Sequence, residues 1–146
     1  MTASILAAID VTQPALDAEV LRVADRLARL DGARLDVITV VPDFGMSVVG
    51  QYFDKEFHDR AVARARSLLD EFVTAVIGAE ANKSVRHIVA TGKAYEEILH
   101  AAREAGADLI VIGAHKPDLR DYLLGPNAAR VVRHSDCSVY VVRQPA

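Results

Sequence analysis

The chain contains no tryptophan, and aromatic residues fill only 5% of its 146 positions. A sequence so poor in aromatics and yet 51% hydrophobic must build its interior from Val, Ile, Leu and Ala, and its length suits one core. The single cysteine, Cys137, excludes an internal disulfide and a cysteine-based zinc site, which fits a reducing compartment. Positive charge is not in excess either. Seventeen basic against 20 acidic side chains leave a net charge of -3, without the dominant positive field that a nucleic-acid surface requires. Long apolar runs are missing: residues 1 to 9 carry no basic stretch and are interrupted by Asp10, too short for a signal peptide or a membrane span. The expectation is a cytoplasmic protein that is one domain over residues 1–146, with no nucleic-acid partner and no membrane insertion.

What is present is an alternation of short apolar runs and helical stripes. Ser4 to Ile9 reads as a strand, and Pro14 to Leu30 as a helix with Leu16, Val20, Val23, Ala24 and Leu27 on one side and proline in its first turn. Asp31-Gly32 stops that helix. Arg34 to Val41 is a β-branched strand ended by Pro42. Asp43 to Phe53, with Gly45 and Gly50, shows no period and reads as a loop or a partly ordered segment. A long helix follows over Asp54 to Ile77, then a turn over Gly78 to Ser84. Strand Val85 to Ala90, helix Ala94 to Ala105 stopped at Gly106, strand Asp108 to Ile112, short helix Pro126 to His134 and strand Ser138 to Val142 complete the chain. Strands separated by helices need long crossovers and hence a parallel sheet covered on both faces. The predicted fold is α/β, a doubly wound, five-stranded parallel sheet with right-handed crossovers.

Ligands of such sheets bind beyond the carboxyl ends of the strands. Asp10 ends the first strand and Gly113 ends the fourth; if those strands are neighbours, both residues face one crevice. Asp10 there suits a ribose hydroxyl or a phosphate-bound magnesium, and it equally suits a turn or cap serving the first helix. The glycines at 113 and 125 bracket a loop that opens a helix, an arrangement able to hold an anion, although it matches neither the Walker loop nor the dinucleotide fingerprint. His115 has no nucleophile or second ligand beside it in the sequence, which favours a packing role over catalysis. Arg60, Arg64 and Arg66 interleave with Asp59, Asp70 and Glu71, the pattern of a solvated helix face. Thr91-Gly92-Lys93-Ala94 reads as an ordinary turn. Arg133 and His134 suit the carboxyl end of the last helix, and Cys137 a small core position.

The run from Gly113 to Arg143 resembles the C-terminal motif of the universal stress protein family, in the nucleotide-binding branch similar to its F and G types. Ile5-Leu-Ala-Ala-Ile-Asp10 and Ile38-Thr-Val-Val-Pro42 fit as well, so the likeness covers nearly the whole chain. The resemblance implies the adenine nucleotide alpha hydrolase-like fold and a cytoplasmic homodimer that binds ATP or AMP and acts in stress adaptation. It places Ala8, Ile9 and Asp10 in the nucleotide site, with Asp10 near the ribose and a nucleotide-bound Mg. Val40 then contacts adenine through its backbone, Ile112 and Gly113 lie by the ribose, and His115, Lys116, Gly125, Pro126 and Asn127 belong to the phosphate loop and turn. Two departures stand out. Lys116 occupies the family's second glycine position, and eight residues separate it from Gly125. Pro126 replaces the usual Ser or Thr and removes both a hydroxyl and a backbone N–H, a change worth roughly 1 to 3 kcal/mol unless Lys116, Arg120 or Arg130 supplies charge instead. Ser138 to Val142 is expected at a sheet edge, where it pairs with a second copy. Two other outputs stay open: slow ATP hydrolysis or self-phosphorylation at the same site, and a nucleotide-free interaction module acting on a transporter or signalling protein.

Overall fold

The computed structural model describes residues 2–42, 51–114 and 126–143, with the backbone alone over 51–54. Five strands, β1 (Ser4–Ala8), β2 (Arg34–Val41), β3 (Arg86–Thr91), β4 (Leu109–Gly113) and β5 (Ser138–Val142), form one sheet in the order β3-β2-β1-β4-β5. Every pairing is parallel, with Ala7 opposite both Val37 and Val111. The doubly wound sheet expected from the alternation of elements is therefore present, and β1 and β4 are neighbours.

Parallel strands are buried on both faces, and the two helical layers divide the strand residues by parity. Ile5, Ala7 and Val37 face one layer with Val20 and Leu21 of α1 (Pro14–Asp31) and with Leu69 and Val73 of α2 (Gln51–Ile77). Leu6, Ile38 and Ile110 face the other, with Ile98 and Leu99 of α4 (Ala94–Ala105) and with Ala128 and Val131 of α5 (Pro126–His134). Each Val, Leu or Ile side chain among these, fully removed from water, contributes about 1.5 to 3 kcal/mol.

Local punctuation follows the sequence. Pro14 occupies the first turn of α1, where its missing N–H has no helical partner to lose. Gly32 ends α1 at φ 64° and Gly106 ends α4 at φ 62°, both left-handed, so the backbone can close the terminal carbonyls. Three details differ from expectation. Helix α2 starts at Gln51, three residues before the predicted Asp54, so 51–53 are helical and not loop; 43–50 lie outside the described residues. The stretch read as a turn after Gly78 contains one helical turn, α3 (Ala79–Asn82). Tertiary hydrogen bonds hold it: the Asn82 amide donates to Asp70 Oδ1 and to Thr74 Oγ1, each at 2.9 Å, and Asn82 Oδ1 lies 2.6 Å from His87 Nε2. Leu16, placed on the buried stripe of α1, is 36% exposed.

The amino ends of the strands are closed by polar contacts. Asp36 is fully buried, yet its Oδ2 meets Arg34 Nε at 3.5 Å and Arg86 Nη2 at 3.1 Å. Arg34 also donates to Ala105 O at the end of α4, and Asp108 Oδ2 accepts from the N–H groups of Ala3 and Ser4. These contacts leave the opposite end of the sheet as the place for a ligand.

Candidate functional site: a cleft at the carboxyl ends of the strands

A cleft of about 510 Å³ opens beyond β1, β2 and β4, walled by α2 on one side of the sheet and α4 on the other. The strand order creates it. Chain direction runs outward from β1 to β2 on one side and from β4 to β5 on the other, so the loops leaving β1 and β4 diverge and a gap opens between them. Most of the lining is Ala, Val, Ile and Leu side chains with a few polar groups among them, the usual composition of a small-molecule site in which a few polar contacts orient the ligand.

Seven of the residues singled out from the sequence line this cleft: Ala8, Ile9 and Asp10 from the end of β1, Val40 from β2, Ile112 and Gly113 from β4, and Asn127 from α5. They come from four separate segments. Gly113 ends β4 opposite Val142. Pro126 opens α5 but is exposed and is not among the lining residues. His115, Lys116 and Gly125 lie outside the described residues, as does Arg120. Arg130, considered as a compensating charge, is 4.9 Å from the centroid of the Tyr95 ring and does not line the cleft.

The loop after β1 is tightly specified. Ile9 N–H donates to Ile38 O at 2.9 Å, which continues the sheet one residue past β1. The next amide, that of Asp10, donates to Asp17 Oδ2 at 2.6 Å. Asp17 sits in the first turn of α1, is 1% exposed and lines the cleft. A buried carboxylate that accepts a backbone N–H ties the loop to the helix, and its position at the helix amino end suits the macrodipole. Asp10 itself turns its Oδ1 to Thr12, accepting from the backbone N–H at 2.9 Å and the hydroxyl at 2.6 Å. The two readings of Asp10 therefore coexist: one oxygen builds an Asx turn, while Oδ2 accepts no hydrogen bond from a described residue. The helix cap expected as one alternative falls instead on Gln13, which makes no side-chain cap bond.

Two lining residues were not legible as such. Asp17 carries no sequence signal beyond being an acidic residue in the first turn of a helix. Arg64, assigned to a solvated face, lines the cleft with Ala61, Ala65 and Leu68 of α2. Of the Thr91-Gly92-Lys93-Ala94 turn, Ala94 alone reaches the lining, while Gly92 donates its N–H to Val41 O at 3.0 Å. Among the described residues no group of three His, Cys, Asp or Glu side chains could hold a metal; Asp10 Oδ2 fits a single contact to a cation that brings its remaining ligands from water and phosphate.

The model of the universal stress protein family matches residues 1–143. Universal stress protein G of Shigella flexneri is 28% identical to this chain, over 98% of the chain and 100% of that protein. Among solved structures, MJ0577 of Methanocaldococcus jannaschii matches with a TM-score of 0.81 at 23% identity, over 99% of this chain and 97% of that one. A universal stress protein from Archaeoglobus fulgidus, solved in complex with dAMP, matches with a TM-score of 0.60 at 22% identity, over 95% and 96% of the two chains.

Proposed function

The chain belongs to the universal stress protein family, and from that premise we propose that it is a cytoplasmic regulatory homodimer, each copy a single domain over residues 1–146, that binds ATP or AMP in the cleft. One observation carries the reading: Asp10, Val40, Gly113 and Asn127, far apart in sequence, meet in one cavity of about 510 Å³, a volume within the usual range for a small-molecule site. The complex of the Archaeoglobus relative with dAMP supports an adenine nucleotide as the ligand class.

In this reading the base lies toward Val40 among apolar side chains, the ribose lies between Asp10 and Gly113, and the phosphates extend toward the start of α5. Asp10 is held rigid by Thr12 and Asp17, so its Oδ2 meets a ribose hydroxyl or a nucleotide-bound Mg without first having to be ordered. The dimer forms through β5, whose outer edge has no strand beside it among the described residues, and nucleotide occupancy alters the surface offered to a transporter or signalling partner.

Native mass spectrometry of gently purified protein tests this directly. A dimer carrying the added mass of AMP or ATP is expected. An empty dimer that takes up neither nucleotide at millimolar concentration overturns the nucleotide reading and leaves an interaction module. Conversion of bound ATP to ADP over hours assigns a slow hydrolase activity to the same cleft.

A further inference from the structure

Arg64 is the one cation among the described residues that line the cleft. It makes no ion pair or hydrogen bond with a described residue, whereas Arg60, one turn earlier on α2, is engaged by Glu56 at 3.0 Å. Asp10 and Asp17 line the same cleft, yet neither pairs with Arg64: Asp10 Oδ1 accepts from Thr12, and Asp17 Oδ2 accepts the Asp10 N–H. The helix frames Arg64 with small side chains: Ala61 and Ala65 lie three residues before and one after it and line the cleft too, leaving room for a ligand surface against the arginine plane.

The side of the cleft decides what Arg64 can touch. Helix α2 packs on β2, β3 and α1, so Arg64 overhangs the carboxyl end of β2, where Val40 turns its side chain to the α4 layer and leaves its backbone at the cleft, while Gly113 and Asn127 close the cleft from β4 and α5. The phosphate turn is thus across the cleft from Arg64. Building on the nucleotide reading, we infer that Arg64 is a base-recognition residue, its planar guanidinium stacking on the purine ring held against Val40. Arginine is suited to this because its delocalised, weakly hydrated plane stacks on aromatic faces, which the compact ammonium of lysine does not do. A purine offers a larger face than a pyrimidine, so Arg64 also favours purine nucleotides.

Calorimetric titration of Arg64→Leu and Arg64→Lys with adenosine, AMP and ATP separates a base contact from a phosphate contact. Both substitutions are good helix formers at an exposed position, and an unchanged circular dichroism melt establishes that the fold is intact. The expected result is a loss of about three- to tenfold in affinity, similar for all three ligands and present in Arg64→Lys as well. A loss that grows with phosphate number and is rescued by lysine overturns the base assignment, and so does no loss at all. Failure of the wild-type protein to bind any of the three ligands would instead overturn the nucleotide reading on which Arg64 depends.

Discussion

Replacing Pro126 with serine perturbs the proposed phosphate turn by two donors, a backbone N–H and a hydroxyl. In the first turn of a helix the amides of the opening residues have no carbonyl partner and face outward; in α5 those positions are Pro126, Asn127 and Ala128, and the proline leaves two amides where three are possible. Pro126→Ser restores one N–H and adds one hydroxyl beside Asn127, which already lines the cleft. A hydrogen bond to a charged oxygen is worth about 1.5 to 3 kcal/mol when sheltered. Pro126 is exposed, so a value around and below the bottom of that range applies, and a gain of about 1 to 2 kcal/mol, or roughly five- to thirtyfold in affinity, is expected for ATP. The helix itself survives the change because Ala128 and Val131, at 1% and 0% exposure, anchor it to the sheet. Loss of the proline constraint on the unfolded chain lowers stability by about 0.4 to 1 kcal/mol, so affinity rises while the melting temperature of the free protein falls slightly. Isothermal titration with adenosine beside ATP reads the effect: ATP tightens and adenosine, having no phosphate, does not. Equal affinities of variant and wild type for ATP, or equal gains for both ligands, would refute a phosphate role for the start of α5.

Two further substitutions test other parts of the molecule. Val141 lies on the edge strand β5, half-buried against the α4 and α5 layer; Val141→Lys places a charge at the proposed interface and should yield monomers in sedimentation velocity, whereas a dimer that persists unchanged excludes that edge as the contact. Arg86→Met removes one of the two cations from Asp36, which is fully buried; because the Arg86 side chain is 55% exposed and Arg34 remains, the expected destabilisation is about 1 to 3 kcal/mol in urea unfolding, below that for a fully buried pair, and a change under about 0.5 kcal/mol would show that Arg34 alone suffices.

The sheet was legible because parallel strands advertise themselves twice, as apolar runs and through the helices between them. Leu109-Ile-Val-Ile112 has no polar side to turn to water, and in the structure Ile110 and Val111 are both fully buried, one in each core layer. Helix ends marked by Gly32 and Gly106 were legible for an equally local reason, since a left-handed residue is needed there. The start of α2 and the single turn of α3 were not. Asn82 is a poor helix former, and what holds its segment is a set of side-chain partners on α2 and β3, Asp70, Thr74 and His87. Propensity over a few residues is weaker than three such hydrogen bonds.

The site divides along the same line. Residues at strand ends, Asp10 and Gly113, can be placed from strand boundaries alone, because in a doubly wound sheet those boundaries and the cleft coincide; Val40 is placed by the family resemblance. Residues that enter the cleft from the side of a helix cannot. On α2 the sequence shows Arg60, Arg64 and Arg66 interleaved with acids, and nothing local separates the three. Packing separates them: Leu69 and Val73 set the buried stripe against the sheet, and that rotation brings Ala61, Arg64, Ala65 and Leu68 to the cleft while Arg60 turns to Glu56. A charge on a helix acquires its role from the helix's rotation and from the end of the sheet it overhangs. In this chain Arg64 is exposed, as a solvated face requires, and it also shares a stripe with Ala61 and Ala65 above the carboxyl ends of the parallel strands, so the two placements coexist.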